Sequence, residues 1–381
     1  MGANDQKDGD MTAPPRFIDG DVHIFEQLDM WERIPKQFQS RIEHRFVVDD
    51  PYYQKRMFDT YLDGEPIPTW FGHDRSQRLK RLVPRIRQKM SEGAGMEPGR
   101  MLKDLDIEGV DVSVIYPTYC LFAPWIPKIG AAFASAIATA YNDWIYDFCA
   151  ADRRRLRPVA VISVHDVGMA IREIERCASR GFVGAFVRPN PLYNRTLGNE
   201  DYLPIYKALE DARMTLGIHE GTFGLLPTAG IDRVKSQAGH HIICHPLEQM
   251  LAFVSLYEAE VFEKFPKLNF LFLECGTLWV PFWLERCDAE RGEYRSMQDG
   301  RLASQIWRDQ CYVTTEVDDR FLPTVLQLMG DDNVMMSTDY PHDESRFPNS
   351  AKLFMEQPLS ETQREKVGGT NALRAYPRLN D

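Results

Sequence analysis

Residues 268–276 read Leu-Asn-Phe-Leu-Phe-Leu-Glu-Cys-Gly. The first six form a nearly continuous apolar run, too short for an ordinary helix and too apolar for a half-exposed strand. Such a run suits a strand buried on both faces, as in a parallel sheet covered by helices. Helical patterns flank it, Pro246–Phe265 before and Leu278–Arg291 after, with apolar residues recurring at i, i+3 and i+4. A carboxylate, Glu274, stands where the strand ends.

The same alternation extends outward in both directions. Strands are expected at Arg16–Asp21, Val110–Tyr116, Arg157–Ser163, Val183–Val187, Met214–Ile218, Cys311–Thr315 and Asn333–Ser337, giving eight with Leu268–Leu273. Further helices are expected at Ile129–Ala150, Asp166–Arg180, Tyr202–Arg213 and Asp319–Met329, with Asp166 as a cap. Eight strand–helix units predict an α/β chain folded as a (β/α)8 TIM barrel. The organisation expected is a polar tail over residues 1–15 and one domain over 16–381, with a long insertion after the first strand, about 25–108. The basic stretch Arg75–Lys89 in that insertion reads as a solvated amphipathic helix, with a substrate-carboxylate site as the alternative.

Composition narrows the class. The 381 residues are 44% hydrophobic and 11% aromatic, which excludes a disordered chain. Lys and Arg number 45 against 56 Asp and Glu, a net charge of −11, so a nucleic-acid partner is not expected. No apolar run approaches the roughly 18 residues that a membrane span needs, and the first residues lack the apolar core of a signal peptide. Seven widely spaced cysteines without a CxxC pair suggest reduced thiols in a cytoplasmic enzyme.

In a TIM barrel, the chemistry sits at the carboxyl ends of the strands. The first strand here ends in Asp21-Val22-His23, the fifth in His219-Glu220-Gly221, the sixth in Glu274-Cys275-Gly276 and the eighth in Ser337–His342 with Asp339. Taken singly, a strand-end His is often packing and a strand-end Asp is often a helix cap. Their joint position is what points to one site. Mixed imidazole and carboxylate donors suit Zn²⁺, Mn²⁺ or Fe²⁺. Arg188 in Val-Arg-Pro-Asn-Pro reads first as a salt bridge that ties a loop, with a bidentate clamp on a substrate carboxylate as the substrate-binding alternative. Glu26 and His342 are placed to orient ligands. His240 and His241 are expected in an exposed turn, and His245 at a helix start before Pro246, facing the mouth.

The ordered series Asp21-x-His23, IHEG (218–221), HPLEQM (245–250), FPKLNFLFLECG (265–276) and STDYPH (337–342) resembles the amidohydrolase superfamily. More narrowly it resembles the amidohydrolase-related branch of aminocarboxymuconate semialdehyde decarboxylase-like enzymes, from about Phe17 to Tyr376. The stretches 141–163, 181–191 and 371–377 support it. The resemblance implies a divalent metal, zinc first with manganese or iron as alternatives, held by Asp21, His23, His219 and Asp339. Asp21 replaces the usual first histidine and Glu274 the usual strand-six histidine. Asp339, Glu274 and His245 are the implied catalytic groups. The implied reaction is non-oxidative decarboxylation of a small carboxylic acid without an organic cofactor. Hydrolysis of an amide or ester-like bond, a dinuclear iron or manganese oxygenase, and a catalytically silent subunit of a hetero-oligomer are the alternatives. A homodimer or related hetero-oligomer is the implied assembly.

Overall fold

The computed structural model describes residues 17–46, 58–67, 94–221, 226–293, 300–342 and 344–381. The polar tail and the basic stretch 75–89 lie outside the described residues.

Each of the eight expected strands forms, within a few residues of its expected bounds. They are β1 (Ile18–Ile24), β5 (Val112–Pro117), β6 (Leu156–Val161), β7 (Gly184–Val187), β8 (Thr215–His219), β9 (Phe270–Leu273), β10 (Cys311–Glu316) and β11 (Val334–Ser337). They lie side by side in that order, and every ladder pair is parallel. All seven residues of β1 are buried, as are all four of β9, as expected of strands covered on both faces. The fold is therefore a TIM barrel.

The ring closes between β1 and β11. His23 N donates to Tyr340 O at 2.7 Å and Asp339 N donates to Asp21 O at 3.2 Å. Beneath them the buried Asp19 carboxylate accepts from Thr338 N (3.1 Å), Thr338 Oγ1 (2.5 Å) and Asp21 N (3.3 Å). A bulge in β1 between Asp19 and Val22 sets three residue steps against two on β5. Such bulges re-aim side chains at barrel rims.

The insertion carries α1 (Leu28–Glu32), α2 (Lys36–Gln39) and a three-stranded antiparallel sheet of β2 (Ile42–Phe46), β3 (Phe58–Leu62) and β4 (Glu65–Pro66). The chain returns to the barrel through α3 (Pro98–Glu108). Next come α4 (Ala131–Phe148), α5 (Val167–Ala178) and α6 (Leu203–Asp211). Trp144 Nε1 donates to both oxygens of Asp29, so α1 docks on α4. Asp166 caps α5 as expected, accepting from Met169 N at 2.7 Å.

One helix boundary differs from expectation. α7 (Gln237–Glu258) begins nine residues before Pro246 and holds that proline in its interior. Ser236 caps it, accepting from Gly239 N at 3.0 Å. His240 and His241 are thus on a helix, not in a turn, and His245 lies in mid-helix. The expected Pro246–Phe265 segment is divided between α7 and α8 (Val261–Lys264). α9 (Trp279–Glu293), α10 (Ala303–Gln310) and α11 (Leu322–Met329) complete the outer layer.

The closing stretch Asn371–Pro377 seals the opposite end of the barrel. Asn371 Nδ2 donates to Val334 O, Thr215 Oγ1 donates to Ala375 O, and the Tyr116 and Tyr376 hydroxyls meet at 2.7 Å. Gly217 on β8 makes room for this pair, since a Cβ there would lie 2.6 Å from Tyr116 Oη. Among the described residues no helix is long and apolar enough to cross a membrane, and none of the seven cysteines is in a disulfide.

The seam predicts its own stability effect. Asp19→Ala strips the acceptor from three buried donors and should lower unfolding free energy by about 2–4 kcal/mol. Thr338→Val, which leaves the backbone bond in place, should cost less. Urea unfolding at neutral pH measures both, and an unchanged midpoint for Asp19→Ala would remove the seam from the explanation of closure.

Candidate metal centre

Asp21 and His23 sit two apart on β1 and converge at the barrel mouth, where His219 arrives at the end of β8. His23 Nε2 lies 3.4 Å from Asp21 Oδ1, and His219 Nε2 lies 3.5 Å from Asp21 Oδ2. The two Nε2 atoms are 3.2 Å apart. Asp339, following β11, brings Oδ1 within 3.3 Å of His23 Nε2. Glu274, following β9, brings Oε2 within 3.6 Å of His219 Nε2. Asp21, His23 and His219 are each at most 1% exposed.

The tautomers follow from the other ring nitrogens. His23 Nδ1 bonds Pro117 O at 2.7 Å, and His219 Nδ1 bonds Glu220 O at 2.5 Å. A carbonyl only accepts, so each Nδ1 carries the proton. Burial holds His23 well below the usual imidazole range, so its ring is neutral and Nε2 presents a lone pair. Both Asp21 oxygens and Asp339 Oδ2 are buried without a hydrogen-bond partner. The His23 Nε2 lone pair thus faces carboxylate oxygens, which is repulsive unless a cation lies between them.

The spacing fits one. Two bonds of about 2.0–2.2 Å at a tetrahedral angle put their donor atoms about 3.3–3.6 Å apart. The separations here run from 3.2 to 3.6 Å. Asp21, His23 and His219 form one set of donors with mutual spacing suited to a metal, and His23, Asp339 and His342 form an overlapping one. Burial pushes the Cys275 thiol upward, which disfavours a thiolate ligand beside these harder donors.

Both strand-end acids occupy the left-handed backbone region, Glu274 at φ 47° and Asp339 at φ 51°. Non-glycine residues rarely adopt it, and its strain gathers at functional sites. Asp339 is pushed well above the usual carboxylate range by burial and then by the neighbouring Glu344 and Asp21. Glu274 is pushed the same way, by burial and then by Asp339.

The orienting residues act less directly than the sequence suggests. His342 stacks on His23 with centroids 4.1 Å apart, bonds Asp339 Oδ1 through Nδ1 (2.9 Å) and meets Thr118 Oγ1 through Nε2 (3.0 Å). Burial lowers it to about 3, so it is neutral and relays hydrogen bonds, not charge. Glu26 instead collects three backbone donors, Thr118 N (3.3 Å), Tyr119 N (2.8 Å) and Cys120 N (2.8 Å). It fixes the loop whose Pro117 carbonyl and Thr118 hydroxyl orient His23 and His342. Arg188 is fully buried and spends its guanidinium on Glu220 Oε1 (2.7 Å), Asn190 Oδ1, Leu121 O and Gly221 O. It ties loops together, the alternative to the substrate clamp.

His245 bonds Glu274 O through Nδ1 at 2.8 Å, and burial keeps it well below the usual imidazole range. His241, one turn earlier on α7, lies 3.8 Å from Glu274 Oε1 and 3.2 Å from Glu344 Oε1. Reading α7 from Pro246 hid this pair, although Ser236 is a serviceable cap signal. Glu344 and Glu316 carried no signal in the sequence. They line a narrow cleft of about 20 Å³ together with Glu274, Thr314, Ser337 and Asp339.

A model of the amidohydrolase family matches residues 18–378 of this chain. The gamma-resorcylate decarboxylase of Polaromonas sp. is 24% identical over 295 residues, covering 73% of this chain and 86% of that protein. The 2-amino-3-carboxymuconate-6-semialdehyde decarboxylase of Dictyostelium discoideum is 22% identical over 285 residues, covering 73% and 76%. The crystal structure of a dihydroxybenzoic acid decarboxylase from Polaromonas sp. JS666, with bound manganese and the inhibitor 2-nitroresorcinol, superposes with a TM-score of 0.65 at 19% identity. It covers 96% of this chain and 98% of the other.

If these donors hold an ion, the wild-type protein should carry divalent metal after extensive dialysis. His219→Ala and Asp21→Asn should each lower that content. Elemental analysis of the three proteins decides, and equal content in all three would place the ion elsewhere.

Proposed function

The chain belongs to the amidohydrolase family, and from that premise we propose that it is a metal-dependent carboxy-lyase acting on a small aromatic carboxylic acid. The observation that carries the reading is the buried Asp21 carboxylate facing the His23 and His219 lone pairs at the barrel mouth. Two decarboxylases of carboxylated, unsaturated substrates among the relatives favour carbon–carbon cleavage over hydrolysis.

Asp21, His23, His219 and Asp339 would hold the ion. Zinc and manganese both suit two imidazoles with carboxylates, and the manganese of the similar structure favours manganese. When bound, the ion supplies positive charge that draws in and orients the substrate's oxygens. Neutral His342, fixed between Thr118 and Asp339, orients the Asp339 carboxyl. Asp339 lines the cleft, and its Oδ2, which has no hydrogen-bond partner, is the oxygen that would carry a proton to the substrate. The bond between the ring carbon and the carboxyl carbon breaks, leaving its electron pair on the ring. That carbon takes the Asp339 proton and CO₂ departs, with no net oxidation and no organic cofactor. Glu274 lines the same cleft, with a carboxylate oxygen within 4.8 Å of one from Asp339.

The test is CO₂ release from hydroxylated benzoic acids, gamma-resorcylic acid first, by manganese-reconstituted protein. Chelation should abolish release, and Asp339→Asn should cut turnover by about 10²–10⁴-fold. Turnover unchanged in Asp339→Asn would overturn its role. Release of an alcohol or amine from ester or amide probes, without CO₂ from any acid, would favour the hydrolase.

A further inference from the structure

The bulge in β1 opens the ladder at Asp21. Ile18 and Asp19 pair with Val112 and Ser113 on β5, pairing resumes at Val22, and Gly20 and Asp21 fall in the gap. The peptide that joins these two residues is held by other means. Its N–H, on Asp21, reaches Asp19 Oδ1 at 3.3 Å. Its carbonyl, on Gly20, accepts from Tyr376 Oη at 3.3 Å. The next carbonyl, Asp21 O, accepts from Asp339 N at 3.2 Å. A peptide unit is planar, so pinning it at both ends limits the direction in which the Asp21 side chain leaves the backbone.

Tyr376 reaches Gly20 across 356 positions of sequence, so only the closing stretch of the chain supplies this bond. Its hydroxyl also meets that of Tyr116 at 2.7 Å. Both rings are fully buried, and burial pushes both phenols well above their usual range, so each keeps its proton. Among the hydrogen bonds of the described residues, one arrangement uses both protons. Tyr116 donates to Tyr376, and Tyr376 donates to Gly20 O. The tyrosine is itself anchored. Thr215 Oγ1 (2.5 Å) and Asn269 Nδ2 (2.9 Å) donate to Ala375 O, and Tyr376 N donates to Ala372 O at 2.9 Å. The Tyr116 ring lies 5.8 Å from that of His219 and 6.3 Å from that of His23, so the paired hydroxyls are close to the donor set.

We propose that Tyr376 is a positioning residue for the metal centre, its hydroxyl holding the Gly20 carbonyl so that Asp21 is aimed at His23 and His219. The carboxylate needs such a hold because neither of its own oxygens has a hydrogen-bond partner. Groups that orient a ligand in this way tune affinity without touching the ion. The inference rests on Asp21 being a metal ligand.

The test is Mn²⁺ affinity by calorimetric titration, beside the melting temperature of the metal-free protein, on the full-length chain. Tyr376→Phe keeps the ring and should weaken Mn²⁺ binding roughly 10-fold, as loss of a group supporting a ligand does. Tyr116→Phe leaves the bond to Gly20 in place and should bind Mn²⁺ as tightly as wild type. Tyr376→Phe also strands the Tyr116 proton, which should lower its melting temperature. Combining the two substitutions removes that stranded donor and should recover the melting temperature while keeping the weakened affinity. Affinity that recovers together with stability, or falls equally in Tyr116→Phe, would assign the effect to core packing and overturn the positioning role. Wild-type affinity in Tyr376→Phe would overturn it too. A wild-type protein that takes up no Mn²⁺ would overturn the metal centre itself, and this inference with it.

Discussion

Asp21 is a carboxylate at most 1% exposed, with neither oxygen hydrogen-bonded, set against the Nε2 atoms of two imidazoles. Burying an ion costs several kcal/mol even after relaxation, and an uncompensated one is strongly destabilising. The usual remedy, a proton shared between acid and base, is disfavoured at His23, whose burial holds the ring neutral. A positive ion among these atoms turns the same repulsions into attractions. Much of the surrounding structure serves to hold the donors together against those repulsions.

The barrel seam does most of this holding. Backbone bonds from His23 and Asp339 cross between β1 and β11, and Asp19 clamps Thr338 one layer below. The two strands that supply Asp21, His23 and Asp339 are thereby locked in register with each other. The β1 bulge, between Asp19 and Val22, contains Asp21 itself. Glu26 then fixes the loop after β5, and that loop fixes His23 and His342. The left-handed backbone at Glu274 and Asp339 fits the same picture, since strain is tolerated where rigid strands determine it on either side.

The barrel was legible because its strands are buried on both faces, which writes them as apolar runs bounded by chemistry-bearing ends. The first donors were legible for the same reason: Asp21, His23, His219 and Asp339 stand at strand ends, where the register of the chain places them. Residues brought in by helices and loops were harder to read. Proline favours the first turn of a helix, so the sequence places the start of α7 at Pro246 and leaves His240, His241 and His245 outside their helical register. Arg188 and Glu26 were visible as charged residues near the mouth. Their partners, Glu220 and Asn190 for one and three backbone amides for the other, lie up to 94 residues away in sequence and depend on loop paths that no periodicity encodes. Glu316 and Glu344 approach Glu274 and Asp339 only through the final turns of the barrel rim.

The claim on which the rest depends is that a cation lies among Asp21, His23, His219 and Asp339. Crystals grown with Mn²⁺, with diffraction recorded on both sides of the manganese absorption edge, locate such an ion directly. An anomalous difference peak bounded by these four side chains is the expected result. A map without a peak there, in crystals whose solution contains saturating Mn²⁺, would contradict a metal centre at this mouth.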